Sequence, residues 1–280
     1  MQQLAGRTAF VTGAASGIGR GIALALGHEG MQVAVADLDA AGAERVAREI
    51  GERGGRAFGL VTDVTSQASL DAAAKEVAAR TGGAHLLVNN AGVMAPLGPL
   101  VERSEDDWHY VFDVNVFGPA RGVRAFLPQL RAQAPDAQIV VTASLGGMVT
   151  VPETPVGVYV ASKYAAVGYA ESLRHELAPE GIGVSLLLPG MTRSNLMATS
   201  ARNRPERFGG PQAAPAPPPP IPAIEAMTIE PEAIGPMLVR GIRENRLYIA
   251  THLEFLPLLE ARHAAILADF DAEARARRPR

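Results

Sequence analysis

Short apolar runs alternate along this chain with stretches whose apolar residues recur every three or four positions. The runs Thr8–Thr12, Gln32–Asp37, Arg56–Val61, His85–Asn89, Gln138–Thr142, Gly183–Leu188 and Leu247–Ala250 are short and rich in β-branched residues. Most are apolar on both faces, the pattern of strands in a parallel sheet covered on both sides. Helical spacing marks Gly17–Glu29, Asp39–Arg53, Ser66–Arg80, Ser104–Leu130, Val158–Leu177 and Pro231–Asn245, and Ser66 and Ser104 stand where N-caps belong. The alternation predicts an α/β fold, a doubly wound parallel sheet of about seven strands with helices on both faces. Right-handed crossovers place ligands at the carboxyl ends of its strands.

The rhythm breaks between Asn195 and Thr228, where the run from Pro215 to Pro222 holds six prolines and favours extended polyproline geometry. Long insertions in compact domains are lids or linkers. Residues 195–228 are read as a lid over substrate. Beyond the last strand, 257–276 reads as a C-terminal helix, with Leu258, Leu259, Ile266, Leu267 and Phe270 available to dock onto the domain or onto a partner subunit. No compositional break divides the chain before about residue 200, so 1–280 is expected to be one domain.

Composition narrows the function. The 280 residues are 48% hydrophobic and carry a net charge of −3, so there is no basic footprint for nucleic acid. There is no cysteine, which excludes disulfides, thiolate metal sites and a cysteine nucleophile; no metal site is expected. No apolar run reaches the roughly 18 residues of a membrane span. The N-terminus enters its first strand without a signal-peptide layout, making the cytoplasm the expected location.

The chemistry begins at Val11-Thr12-Gly13-Ala14-Ala15-Ser16-Gly17-Ile18-Gly19. A strand ends there in a glycine turn that opens a helix, whose unpaired N–H groups attract phosphate. The next strand ends in Asp37, an acid able to accept the hydroxyls of an adenosine ribose. Tyr159 and Lys163 share a helix face at i and i+4. A nearby ammonium favours the phenolate, so the pair is expected to lower the phenol's pKa and exchange protons with an alcohol or carbonyl oxygen. Ser144 follows the fifth strand and can hold a substrate oxygen beside Tyr159; on its own it would read as a turn serine. Asn115 sits among apolar neighbours and needs hydrogen-bond partners. Asn89-Asn90-Ala91-Gly92 follows the fourth strand and leaves room for a ring, or makes a simple turn. Asp63 and Val64 close the third strand where an adenine would lie; Asp63 reads equally as a helix N-terminal anion. Pro189-Gly190-Met191-Thr192 ends the sixth strand, with backbone near Thr192 available to a carboxamide.

These motifs, with Tyr159-x-x-x-Lys163, stand in the order and spacing of the short-chain dehydrogenases/reductases, which residues 5–195 resemble. The resemblance implies a single-domain Rossmann fold with a nicotinamide cofactor. It implies Tyr159 as acid/base, Lys163 on the nicotinamide ribose, Ser144 on the substrate oxygen and Asn115 in a proton relay. It places cofactor contacts at Gly13, Ser16, Gly17, Ile18, Gly19, Asp37, Leu38, Asp63, Val64, Asn90, Ala91, Gly92, Pro189, Gly190 and Thr192. It also implies a homodimer or homotetramer. Two features depart from the usual pattern: Ser144 and Tyr159 are wider apart than is common, and Ser194 stands where threonine is usual.

Asp37 would repel the 2′-phosphate of NADP, and neither Ser16 nor Leu38 is basic, so NAD is the expected cofactor over NADP. Arg20 is expected to face pyrophosphate or solvent. Within the family, the segments Asn203–Phe208 and Leu247–His252 resemble bacterial dehydrogenases of benzylic alcohols in lignin-type aryl ethers, and broader ketoreductases. A bulky secondary alcohol or ketone follows, in a pocket built from Met94, Leu145, Met148, Met191, Leu196 and Phe208. A dinucleotide-sensing regulator on the same fold is the rival; such proteins tend to lose the tyrosine or lysine that this chain keeps. A sugar-nucleotide epimerase shares the Tyr/Lys pair but has a larger C-terminal domain and different glycine spacing.

Overall fold

The computed structural model describes residues 1–152, 154–213 and 222–277. Seven parallel strands form one sheet: β1 (Thr8–Thr12), β2 (Gln32–Asp37), β3 (Arg56–Val61), β4 (Leu86–Asn89), β5 (Gln138–Thr142), β6 (Gly183–Leu188) and β7 (Tyr248–Ala250). Their order is β3-β2-β1-β4-β5-β6-β7, so the chain moves outward from β1 in one direction, then returns to β4 and moves in the other. The crevice between β1 and β4 is therefore the switch point where such sheets bind ligands.

Side chains alternate across this sheet. Ala9 and Val11 of β1 pack with Val33 and Val35 of β2 under α1 (Gly17–His28), α2 (Ala40–Glu52) and Ile234, Leu238 and Ile242 of a later helix. Phe10 points the other way, its ring 4.3 Å from that of Phe126, in a core shared with Leu70, Val77 and Ala170. Apolar burial on both faces is what the β-branched runs required. Helix α3 (Gln67–Thr81) starts at Ser66, whose side chain accepts from Ser69 N. Helix α4 (Glu105–Phe112) starts in a Ser104/Asp107 capping box.

The long helix expected over Ser104–Leu130 is not uniform. Helix α4 gives way at Asp113–Phe117 to a π-helical turn before α5 (Gly118–Ala132) resumes. Such turns recur at functional sites, and this one contains Asn115. Helix α6 (Gly157–Leu177) carries Tyr159 and Lys163.

The segment read as a loop is partly helical: α7 (Leu196–Arg202), a 3-10 turn at Glu206–Phe208 and α8 (Pro222–Met227). Of its proline-rich run, 215–222, residues 215–221 fall outside the described residues. Then come α9 (Ile234–Arg243), β7 and α10 (Leu256–Ala276). The expectation that α10 docks on the domain does not hold. Among the described residues none of α10 is buried, and Leu258, Ile266, Leu267 and Phe270 are exposed. Its contact with α6 is through Arg262, whose guanidinium lies 5.3 Å from the Tyr164 ring centroid.

Candidate active site

The carboxyl edge of the sheet opens into a cavity of about 630 Å³. Its wall follows the strand order. Asp63 and Val64 leave β3, Asp37 and Leu38 leave β2, and Gly13, Ser16, Gly17, Ile18 and Gly19 form the turn after β1. Asn90, Ala91 and Gly92 follow β4, Ser144 follows β5, and Pro189, Gly190 and Thr192 follow β6. Tyr159 and Lys163 complete the wall from the first turns of α6. All of the catalytic and cofactor-binding positions expected from sequence, except Asn115, line this one cavity.

The glycine turn is built for close approach. Gly13 has φ +64°, and a Cβ on it would lie 2.8 Å from Ala91 Cα; a Cβ on Gly19 would lie 2.1 Å from the Gly13 carbonyl oxygen. The loop after β4 is pinned against this turn. The Thr12 hydroxyl accepts from Asn90 N (2.9 Å) and Ala91 N (3.0 Å), and Asn90 Nδ2 donates to Thr12 O (3.0 Å). Thr12 is thus a positioning residue that sequence reading passed over as an ordinary strand end. Ser16 makes no side-chain cap on α1, so the first N–H groups of that helix have no hydroxyl partner.

Asp37 accepts from Ala15 N and Asp39 N, both at 3.0 Å. Beside it stands Arg45, which no reading of the β2 end detected. Gly42 packs α2 so tightly on Ala15 that a Cβ would approach the Ala15 Cβ to 2.8 Å. One turn on, Arg45 Nη2 donates to Ala15 O at 3.1 Å and joins the cavity wall. Of the two positions expected for Arg20, the pyrophosphate side does not apply: it does not line the cavity, and its side chain is partly exposed. Its guanidinium pairs with Glu49 (2.6 and 2.9 Å) and with Glu232, tying α1 to α2 and to the turn before α9.

Ser144, Tyr159 and Lys163 are brought together, but their electrostatics reverse one expectation. Lys163 is buried; its ammonium donates to Thr142 O at 2.9 Å and lies 5.5 Å from the Tyr159 ring centroid. Burial lowers its pKa to about 8. Burial pushes the Tyr159 phenol up rather than down, and the neighbouring Ser144 hydroxyl offsets part of that rise. Desolvation of the charged form outweighs the neighbouring cation in this state. Ser144 Oγ accepts from Gly146 N (3.0 Å) and donates to Pro189 O (3.3 Å).

Asn115 is fully enclosed and does not line the cavity. Its Oδ1 accepts from Val93 N (2.8 Å), and its Nδ2 donates to Val93 O (2.8 Å) and to Ser162 Oγ (2.9 Å). Ser162 Oγ in turn donates to Tyr159 O at 2.7 Å. Both amide donors are spent, so the side chain joins the β4 exit loop to the Tyr/Lys helix. Ser162, within the Tyr159-x-x-x-Lys163 motif, is a third residue the sequence reading missed.

Helix α7 crosses the mouth, with Asn195, Leu196, Thr199 and Arg202 on the cavity. Ser200 Oγ accepts from Met94 N (3.0 Å) and Tyr110 OH donates to Ser200 O (3.0 Å). Arg204 and Asp107 form a buried ion pair at 2.6 Å. Arg207 reaches Thr65 Oγ1 (2.8 Å) and Asp113 (3.0 Å). Of the six residues expected to build an apolar substrate pocket, Leu196 lines the main cavity. Met94 lines a separate cavity of about 70 Å³, Leu145 and Met148 belong to the core, Phe208 packs 6.0 Å from the Tyr110 ring, and half-buried Met191 lines neither cavity.

The short-chain dehydrogenase family model matches residues 7–205. The chain belongs to the short-chain dehydrogenases. A C alpha-dehydrogenase of Sphingobium is 31% identical over 273 residues, 95% of this chain and 87% of that one. A short-chain dehydrogenase/reductase from Burkholderia phymatum, solved in complex with NAD, superposes with a TM-score of 0.85 at 34% identity, covering 96% of this chain and 97% of the other. An alcohol dehydrogenase from Thermococcus sibiricus, solved with 5-hydroxy-NADP, gives 0.71 at 27% identity over 88% and 96% of the two chains.

The Burkholderia and Thermococcus proteins were solved with nicotinamide dinucleotides, and the cavity of this chain fits such a group. Gly17, at φ +53°, has nothing within 4 Å of the position of a Cβ, leaving the turn open to a ligand. Thr62 Oγ1, buried on the same wall, has no hydrogen-bond partner among the described residues. No helix among the described residues is long and apolar enough to cross a membrane, and none of their carboxylate and imidazole groups cluster to hold a metal.

Proposed function

We propose that this short-chain dehydrogenase is an NAD-dependent enzyme that interconverts a bulky, aryl-bearing secondary alcohol and its ketone. The observation that carries this reading is the convergence of the Tyr159 phenol, the Ser144 hydroxyl and the Lys163 ammonium on one wall of a cavity that begins at a glycine turn. A bound nicotinamide supplies the hydride acceptor. The chain's own residues do the rest. Tyr159 takes the hydroxyl proton of the alcohol in oxidation and returns it to the carbonyl oxygen in reduction. Ser144 donates to the oxygen as charge develops there. Lys163 holds the ribose and, once its ammonium faces ligand hydroxyls, supplies the positive charge that the phenolate needs. Asn115 fixes the Lys163-bearing helix against the Val93 loop rather than relaying protons through its amide. Residues 195–213 and 222–228 form the lid that excludes water, with α7 over the reacting centre.

Asp37 favours NAD by repelling a 2′-phosphate, and the NAD complex of the Burkholderia relative agrees with that choice. Arg45 supports a second reading, NADP use, because its guanidinium stands beside Asp37 on the same wall. The aryl substrate rests on the Sphingobium relative, named a C alpha-dehydrogenase. The intact Ser144/Tyr159/Lys163 set argues against a dinucleotide sensor. A cytoplasmic homodimer or homotetramer completes the proposal.

Initial rates with aryl secondary alcohols and ketones, each with NAD(H) and NADP(H), test it. Tyr159→Phe should retain dinucleotide binding and fall below a few per cent of turnover, roughly the 10²–10⁴-fold loss of a positioned acid/base. Full activity in that variant would end the assignment.

A further inference from the structure

Two polar residues just past β7 take no part in the proposed chemistry, yet both point inward. His252 is buried, with 4% of its surface exposed. Its ring presses on Gly190, where a Cβ would lie 2.6 Å from His252 Cγ and Nδ1. Nε2 lies 3.0 Å from Met191 O and 2.9 Å from Met227 O. Two carbonyl acceptors require Nε2 to carry the proton, which leaves Nδ1 to accept from the Thr251 hydroxyl at 2.6 Å. Thr251 Oγ1 itself accepts from Gly190 N at 3.1 Å. A chain of hydrogen bonds thus runs from Gly190 through Thr251 and His252 to Met191 and Met227.

These ends matter because of where they lie. Gly190 and Met191 belong to the turn after β6 that lines the cavity beside Ser144. Met227 is the last residue of α8, at the foot of the lid. The foot is already closed by backbone alone: Ile229 N donates to Met191 O and Arg193 N to Ile229 O, both at 3.0 Å. Joining the lid's two roots therefore does not require an imidazole. What His252 adds is orientation, because it fixes the Met191 peptide and presses Gly190 from behind.

We infer that His252 is a positioning residue for hydride transfer, fastening the Pro189–Thr192 turn and the foot of the lid to the end of β7. The inference rests on the reading of that turn as the contact for the nicotinamide carboxamide. Thr251 is its partner, holding the Gly190 amide. A turn that drifts would still leave the adenosine half of the cavity, built from β1 to β3, unchanged.

That asymmetry supplies the test. Dissociation constants for NADH and for ADP-ribose, which lacks the nicotinamide, are measured on the full chain and on His252→Phe and His252→Gln. Phenylalanine keeps the ring volume and removes both polar atoms; glutamine restores N–H donors. In His252→Phe, NADH should bind about tenfold more weakly, the scale of one lost charge-free hydrogen bond, with ADP-ribose unchanged. His252→Gln should recover most of the loss. Should the phenylalanine variant fail to fold, Thr251→Val carries the same comparison through the Gly190 amide. Equal weakening of both ligands, or no weakening of NADH, overturns the assignment. A wild-type chain that binds neither ligand would remove the dinucleotide reading itself.

Discussion

The Lys163 ammonium donates to the Thr142 carbonyl at 2.9 Å, so the buried charge is satisfied by the end of β5 rather than by the phenol of Tyr159. Burial has lowered the lysine to about 8, from the ordinary value near 10.5. The unfolded chain therefore binds more protons than the folded one between those two values. Stability from this group is full above about 10.5 and is lost as pH falls toward 8. The melting temperature of the unliganded wild type, relative to Lys163→Met, should rise between pH 8 and pH 10. NADH affinity should move the opposite way, weakening above pH 8 as the ammonium is lost. Lys163→Arg, which keeps its charge, should show no such fall. A flat wild-type profile by fluorescence titration from pH 7 to pH 10 would contradict the placement of Lys163 on the ligand.

Cofactor choice turns on two side chains of opposite sign. Asp37 is held toward Ala15 and Asp39 by their N–H groups, while Arg45 reaches Ala15 O from α2. Removing the acid leaves the guanidinium unopposed. Asp37→Ser should raise the NADP-to-NAD ratio of kcat/KM by about tenfold or more, the equivalent of roughly 1.4 kcal/mol. Arg45→Ala should depress NADP use and leave NAD use nearly unchanged. A wild-type preference for NADPH would make Arg45 the deciding residue instead.

The segment proposed as a lid is fastened to α4 by a buried pair. Arg204 and Asp107 meet at 2.6 Å with side chains 4% and 10% exposed, and Arg204 also reaches the Phe208 carbonyl. Taking one partner from a buried pair leaves a desolvated charge, at a cost of about 3–5 kcal/mol. Asp107 keeps its bond from Ser104 N, so Arg204→Met should fall at the lower end of that range. Its effect should be local. Amide exchange should accelerate across 196–208, and KM for the alcohol should rise by about tenfold or more with a smaller change in ADP-ribose affinity. Unaltered exchange in α7 would show that the pair does not hold the lid.

The strands of the parallel sheet and most of the cavity wall were legible because they follow from local pattern. A strand that ends in glycine or asparagine at the carboxyl edge has few places to go, and Asp37, Asp63, Asn90 and Pro189 all lie where alternation put them. What escaped reading depends on contacts distant in sequence. The π-helical turn at Asn115 is invisible in a periodicity that runs on unbroken; it comes with bonds to Val93 and Ser162. Helix α7 is seven residues beside a proline-rich stretch, too short to stand by propensity, and is held by Tyr110, Met94 and Arg204. Arg45 was missed because charge was sought next to Asp37 in sequence, whereas α2 brings it there in space. The direction of the Tyr159 shift depends on burial, which spacing alone does not reveal.

Helix α10 is twenty-one residues long, and among the described residues none of it is buried. Leu259, Ile266 and Phe270 recur at intervals of seven and four, which places them along one helix face, with Leu267 adjoining. Phe270 is 73% exposed and Leu267 64%. A helix of this length gains most of its stability from packing an apolar face, and among the described residues Ile266, Leu267 and Phe270 are left exposed. In a homo-oligomer the partner subunit would supply that cover, with Arg262 on Tyr164 orienting the helix at its root. Light scattering on the full chain should then give a dimer or tetramer mass. Ile266→Glu with Phe270→Glu, two changes on the same face and remote from the cavity, should halve that mass at low micromolar concentration while leaving NADH binding intact. If the mass stays the same with both charges in place, assembly runs through another surface, and α10 is a solvated arm.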